Sequence, residues 1–139
     1  MKKIIIISSV VIFILLFVFI YRIFGIDLLI KINYETNIPV ADKTIYQFEE
    51  DGRDGDSFRV IRLSDKKIKR IIWDKYDDPS LISELNYFFE RNNISQEYYP
   101  EINDETLFYK KGFENSSKRD YLLMIYDSNK LVYIYEFHM

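Results

Sequence analysis

The chain of 139 residues contains no cysteine, and this absence removes several kinds of chemistry at once. Without a thiol there is no Cys–His nucleophile and no point of attachment for the lipid of a lipoprotein. The chain has one histidine, His138, so a Ser–His–acid triad would depend on the second-to-last residue, and structural zinc lacks its usual ligands. The absence of cysteine fits either side of a membrane.

Alanine is almost as scarce, and its scarcity bears on the long hydrophobic run from Ile4 to Phe24. A helix of this length spans about 31 Å, which matches the hydrocarbon core of a bilayer. A buried helix of a soluble domain would show a polar face, and a cleaved signal peptide would need small residues after its core. No polar face exists, and the single alanine is Ala41, so the run predicts an uncleaved transmembrane anchor that contacts the lipid bilayer.

The distribution of Lys and Arg predicts the direction of this anchor. Lys2 and Lys3 precede the run, whereas Arg22 and Lys31 flank its other end. The denser positive charge on the N-terminal side favours a single-pass protein of the cell membrane, with a cytoplasmic N-terminus and the C-terminal domain outside. The predicted segments are residues 1–32 as anchor and juxtamembrane stretch, 33–43 as a tether, and 44–139 as the soluble domain.

The soluble part is acidic. Residues 33–139 carry 15 basic and 21 acidic side chains, a formal net charge of −6. Nucleic acid is therefore not an expected partner, because phosphate binding requires a basic field. No cofactor is predicted.

The pattern after the tether predicts an α+β domain. Thr44–Leu63 reads as a β-hairpin, Ser64 begins a short helix that ends near Trp73, and Asp78-Pro79 begins a longer helix that Asn92 and Asn93 can end. Three strands follow, over residues 106–113, 121–126 and 131–137, and both faces of the last two are apolar, as in central strands. The order ββααβββ predicts two layers, an antiparallel sheet of about five strands with two helices.

Two short blocks carry a family resemblance: the turn Asp54-Gly55-Asp56-Ser57-Phe58, and the closing hairpin around Ile125-Tyr126-Asp127 with Leu131, Tyr133, Tyr135 and Glu136. They resemble small, uncharacterised, membrane-anchored proteins of Gram-positive bacteria, which carry a glycine-rich acidic turn followed by Phe. The histidines associated with that turn are absent here. The resemblance implies no known activity.

Acidic residues supply two candidate sites. The run Glu49, Glu50, Asp51, Asp54 and Asp56 combines carboxylates with glycines, which suits a hard cation such as calcium, although it lacks the EF-hand spacing. The alternative is a solvated turn, since hairpin turns select Asp and Gly for backbone reasons, and this is the interpretation that we favour. A second group could supply the paired carboxylates of a glycoside hydrolase: Glu97, Glu101, Asp104 and Glu105.

Basic and aromatic residues supply two candidate surfaces. The predicted helix after Ser64 surrounds Ile68, Ile71 and Ile72 with cations that could contact an anionic surface: Lys66, Lys67, Lys69 and Arg70. The alternative, which we favour, is a core-facing isoleucine stripe with solvated lysines. Tyrosine and tryptophan are frequent in partner surfaces, and four rings are candidates for contact with a protein or a glycan: Trp73, Tyr98, Tyr99 and Tyr109. Trp73 is the one for which burial in the core is favoured.

These features predict a non-catalytic, membrane-tethered interaction domain outside the cytoplasm, such as an envelope accessory factor or an immunity-type protein. The alternative is an envelope hydrolase that uses carboxylates, alone or with a divalent metal. The two differ in whether the acidic residues converge on a concave pocket or scatter over turns.

Overall fold

The computed structural model describes residues 11–21, 36, 38–50, 55–75, 79–112 and 120–138. The chain divides into two compact units, Met1–Val40 and Ala41–Met139. The second unit begins three residues before the predicted domain. Its first residues belong to the fold, because the Asp42 amide donates to the Arg62 carbonyl and Lys43 begins the first strand.

In the first unit, residues 11–21 form an α-helix, α1. Every side chain in it is apolar or aromatic, and each is between 46% and 71% exposed. The described part of this helix, 11 residues, is about 16 Å long, roughly half the thickness of a bilayer core. Within the residues that the structure describes, no helix combines the length and the apolarity needed to cross a membrane. The remaining residues of the predicted anchor lie outside the described ranges.

The second unit has the predicted α+β order. Its strands are β1 (Lys43–Glu49), β2 (Ser57–Arg62), β3 (Leu107–Gly112), β4 (Tyr121–Tyr126) and β5 (Val132–Phe137). They form one antiparallel sheet in the order β1-β2-β5-β4-β3. The prediction that the last two strands lie in the interior of the sheet is confirmed, since β5 is central and β4 is its neighbour.

Helix α3 (Pro79–Arg91) follows the predicted apolar face and packs on one side of the sheet. Its buried side chains are Leu81, Leu85, Phe88 and Phe89. Asn93 ends the helix with φ = 52°, as predicted, and the Ile94 and Asn93 amides donate to the carbonyls of Phe89 and Glu90. This is the pattern of a Schellman cap, and the buried Ile94 supplies its hydrophobic contact. Asp78 lies outside the described residues.

Helix α2 (Asp65–Ile68) is much shorter than predicted. Its Ser64 side chain makes no capping hydrogen bond, and the turns after it are closed by i→i+3 bonds. The Trp73 indole N–H then donates to the Ile68 carbonyl at 3.1 Å, and Asp74 pairs with Phe108 on the edge of β3. After Ile68 the chain forms a turn and a bend and then pairs with β3, in a region where the isoleucine spacing predicts helix. Ile68 is consequently buried, whereas Ile72 is 82% exposed.

The face of the sheet opposite α3 is also apolar and buried. Five of its side chains are at most 1% exposed: Ile61, Leu122, Met124, Val132 and Ile134. The Trp73 ring lies against Tyr126 of this face, with ring centroids 5.8 Å apart and ring planes tilted by 31°.

Candidate functional site

Strand β5 directs two tyrosines toward α3, and each phenol binds a buried aspartate. The hydroxyl of Tyr135 donates to Asp56 Oδ2 at 2.7 Å, and that of Tyr133 donates to Asp127 Oδ2 at 2.9 Å. Both aspartates are at most 5% exposed. A buried phenol requires a hydrogen-bond partner, and these two strand positions find theirs in turns at opposite ends of the sheet.

Asp56 is the centre of a larger polar group, which we call the Asp56 cluster: Glu50, Asp56, Arg91, Asn92, Tyr135 and the His138 amide. The His138 amide donates to Asp56 Oδ1 at 2.8 Å, and Arg91 Nη2 lies 3.7 Å from Asp56 Oδ2. Glu50 Oε1 accepts from Arg91 Nη2 and, at 2.9 Å, from Asn92 Nδ2. The cluster therefore connects the end of β1, the start of β2, the end of α3 and the end of β5.

The Asp56 cluster shifts the pKa of its members in opposite directions. Burial, together with the hydrogen bond to Asp56, raises the pKa of Tyr135 far above its usual value near 10. Burial alone would raise the pKa of Glu50, but hydrogen bonds from Asn92, the Asp56 amide and Arg91 together lower it. At neutral pH the cluster holds a neutral phenol and an ionised glutamate.

These contacts correct the solvated-turn interpretation for one residue of the acidic run, Asp56, whereas Glu49 is exposed as that interpretation expects. Asp56 is 5% exposed, and its two carboxylate oxygens accept hydrogen bonds from the Tyr135 hydroxyl and the His138 amide. Gly55 is required for close approach, since a Cβ there would lie 2.7 Å from the Glu50 carbonyl oxygen. Asp51 and Asp54 lie outside the described residues. Within the described part of the chain, no three His, Cys, Asp or Glu residues come close enough to hold a metal ion.

Asp127 organises the loop between β4 and β5. It accepts from the amides of Asn129 and Leu131 at 3.0 and 3.1 Å, besides the Tyr133 hydroxyl. Lys130, at φ = 59°, completes the turn in the left-handed region. Glu101 accepts hydrogen bonds from the side chains of Ser128 and Asn129, and so connects the segment between α3 and β3 to the same turn. These hydrogen bonds position the backbone of the loop. They engage the carboxylates of both Asp127 and Glu101.

The face opposite α3 contains a polar group of three residues, the half-buried Ser57 and the buried Arg59 and Glu136. Ser57 Oγ donates to Glu136 Oε1 at 3.0 Å, and Arg59 and Glu136 are 4% and 8% exposed. Burial raises the pKa of Glu136, and Ser57 and the charge of Arg59 oppose that shift. The group places opposite charges within an otherwise apolar face.

The carboxylates considered for a hydrolase do not converge. A groove of about 480 Å³ beside the edge of β3 is lined by six residues: Lys75, Ile102, Asn103, Asp104, Thr106 and Phe108. Asp104 is the single carboxylate among them. Glu97, Glu101 and Glu105 are exposed, and Glu101 is engaged by the Asp127 turn.

The four candidate aromatic rings are all half-buried. Adjacent residues of an extended chain point to opposite sides, so the sequence predicts that at least one of Tyr98 and Tyr99 is exposed. Instead Tyr98 stacks on Tyr46 at 4.1 Å and Tyr99 on Phe89 at 4.3 Å, so both rings are half-buried. Burial raises the pKa of Tyr109. Trp73 rests on Tyr126 beyond the main core.

The exposed aromatic ring that sequence reasoning missed is Tyr87, at 63%. It lies on α3 away from the buried face, and the Arg91 guanidinium is 5.7 Å from its centroid. The helical periodicity of α3 could have identified Tyr87 as exposed, because position 87 falls outside the apolar stripe.

The four basic candidates separate into one paired and three exposed side chains. Lys67 forms an ion pair with Asp42. Lys66, Lys69 and Arg70 are exposed, and so is Lys75. Among the residues that the structure describes, none of these four exposed cations has an ion-pair partner.

Comparison of the chain with protein-family models, with curated proteins and with solved structures finds no match.

Proposed function

We propose that this chain is a single-pass membrane protein whose α+β domain binds a partner outside the cytoplasm and catalyses no reaction. The observation that carries the proposal is α1, whose side chains are all apolar or aromatic and all between 46% and 71% exposed. A helix that is hydrophobic on every side is suited to lipid. It belongs to the longer run from Ile4 to Phe24, and Lys2 and Lys3 before that run favour a cytoplasmic N-terminus.

The chemistry of the domain supports binding over catalysis. The buried carboxylates of Asp56 and Asp127 accept hydrogen bonds that hold strands and turns together. The groove beside β3 offers one carboxylate, Asp104, and glycoside hydrolysis normally uses a pair. The described acidic residues thus support a domain that binds a partner through its surface, as an envelope accessory factor or an immunity-type protein would.

The anchor is tested with the full-length chain in bacterial cells. A reporter active only outside the cytoplasm, fused after Met139, is expected to be active, and the fusion is expected to stay in alkali-washed membranes at its full length. Ile14→Arg with Phe17→Arg is expected to release it, because arginine at the centre of a spanning helix is costly. A matched pair, Ser83→Arg with Asn86→Arg on exposed positions of α3, should change nothing. Activity of a cytoplasmic reporter alone would reverse the topology, and a shortened soluble product would indicate cleavage.

The partner is tested by affinity capture of the tagged full-length chain from membranes. Tyr87→Ala is expected to weaken capture by about 2 kcal/mol or more while changing stability by less than about 1 kcal/mol, as an exposed contact residue does. Asn86→Ala, at the neighbouring exposed position, is the control. Equal capture by wild type and Tyr87→Ala would exclude this face of α3 as the contact surface. Turnover of a copurifying glycan would favour the hydrolase instead.

A further inference from the structure

Residues 65–75, here called the basic segment, expose an isoleucine among cations. Ile72 has the largest exposed fraction, 82%, of the large hydrophobic side chains that the structure describes. Four exposed cations belong to the same segment: Lys66, Lys69, Arg70 and Lys75. Its acidic residues are Asp65 and Asp74, so with the paired Lys67 the segment has a formal charge of +3, whereas residues 33–139 as a whole have a net charge of −6.

Packing within the domain does not account for the position of Ile72. Had α2 continued, Ile72 would lie one turn after Ile68 and share its buried face. The helix instead ends at Ile68, Trp73 donates back to the Ile68 carbonyl, and Ile72 between them is exposed. An exposed apolar side chain framed by Lys and Arg matches the surface of an anionic bilayer, which offers phosphate groups to the cations and an acyl boundary to the isoleucine.

The basic segment also lies beside the residue where the chain enters the domain. The Ser64 amide donates to Asp42 Oδ2 at 2.6 Å, and Lys67 Nζ pairs with Asp42 Oδ1. Asp42 follows Phe24, the end of the predicted anchor, by 18 positions. This length of chain reaches at most about 60 Å, and a short tether raises the effective concentration of a weak contact to about the millimolar range.

We propose that the basic segment docks the domain on anionic lipid headgroups of the membrane that holds the chain. The docking rests on the proposed anchor and deepens it by assigning the surface that faces the lipid. Each cation near an anionic surface contributes about fivefold to binding. The negative charge of the remaining domain repels the same surface, so the contact is confined to this segment and fixes the orientation of the domain.

The single tryptophan of the chain, Trp73, reports directly on this contact because it follows Ile72. The full-length chain is reconstituted in vesicles that carry a nitroxide quencher at the headgroup. One set contains phosphatidylcholine alone and the other equal parts of phosphatidylcholine and phosphatidylglycerol. Trp73 emission is expected to be quenched in the anionic vesicles and to recover when salt rises from about 0.1 M to about 1 M, which shortens the Debye length from about 10 to about 3 Å.

Substitutions separate the two parts of the contact. Lys69→Gln with Arg70→Gln is expected to lower the ratio of docked to undocked domain about 25-fold, and Ile72→Ser about tenfold. Lys110→Gln with Lys111→Gln removes the same charge from β3, and Ile45→Ser removes an exposed isoleucine from β1. Both controls are expected to leave quenching unchanged, with thermal melts showing that every variant is folded.

The outcomes distinguish the docking from the anchor. Release of the chain from the vesicles by alkali would overturn the anchor. Retention of the chain with equal Trp73 emission in both lipid mixtures would overturn the docking alone. Dextran sulfate serves as a soluble polyanion: if it alters Trp73 emission in phosphatidylcholine vesicles while anionic lipid has no effect, the segment binds an anionic polymer and the lipid proposal is wrong.

Discussion

Asp56→Ala is expected to lower the free energy of unfolding by about 3 to 5 kcal/mol. The substitution leaves the Tyr135 hydroxyl and the His138 amide without their acceptor and removes a negative charge 3.7 Å from Arg91. Tyr135 is 2% exposed, so water does not replace the lost carboxylate at its hydroxyl. Tyr135→Phe keeps the ring and loses one hydrogen bond, and we expect it to cost about 1 to 2 kcal/mol.

Urea melts of the full-length chain in non-ionic detergent, followed by circular dichroism, measure this loss. A domain of this size has about 5 to 15 kcal/mol of stability, so the Asp56 variant is expected to begin unfolding at low urea. Asp104→Ala makes the same chemical change at an exposed position and should shift stability by less than about 0.5 kcal/mol. A loss of less than about 1 kcal/mol for Asp56→Ala would mean that the cluster does not stabilise the fold.

High pH is expected to unfold the domain through its two buried tyrosines. Burial raises the pKa of both Tyr133 and Tyr135 above the usual value near 10, and hydrogen bonds to Asp127 and Asp56 add to the shift. The stability that they contribute is complete below pH 10 and is lost as pH rises, because the unfolded chain releases two protons that the folded chain keeps. Each proton corresponds to about 1.4 kcal/mol per pH unit, so stability should fall by about 5 kcal/mol between about pH 10 and about pH 12.

The same urea melts, repeated between about pH 8 and about pH 12, measure this slope, and absorbance titration follows the phenolates directly. Tyr135→Phe is expected to reduce the slope by about 1.4 kcal/mol per pH unit, because it removes one proton that the folded chain keeps. Tyr87→Phe removes a hydroxyl from a residue that is 63% exposed and should leave the slope unchanged. Constant stability up to about pH 12 would show that neither phenol is held protonated by the fold.

The sequence predicts those parts of the fold that local pattern determines. The apolar stripe of α3 and the cap at Asn93 depend on residues within a few positions of one another, and the structure has both. The two-sided apolarity of β4 and β5 likewise places them in the interior of the sheet. The end of α2 was not predictable in this way. It depends on the pairing of Asp74 with Phe108, 34 positions away, which overrides a helical spacing.

The Asp56 cluster lies beyond sequence reasoning for the same reason. Tyr135 and Asp56 are 79 positions apart and meet because β5 inserts between β2 and β4. The sequence does contain a partial signal, since two tyrosines at alternate positions of a buried strand must each find an acceptor. Which carboxylate serves each of them is decided by the strand order.

The position of β1 at the edge of the sheet determines how the domain responds to mechanical force. Among the strands that the structure describes, β1 pairs only with β2, and the open end of that hairpin, at Lys43 and Arg62, lies next to Asp42. A pull on the preceding chain therefore loads first the bonds of Asp42 to Arg62, Ser64 and Lys67, and then the ladder one pair at a time. Bonds that break in succession yield at lower force than bonds that share a load. Under tension β1 should peel away first and leave β2, β5, β4 and β3 together with α3.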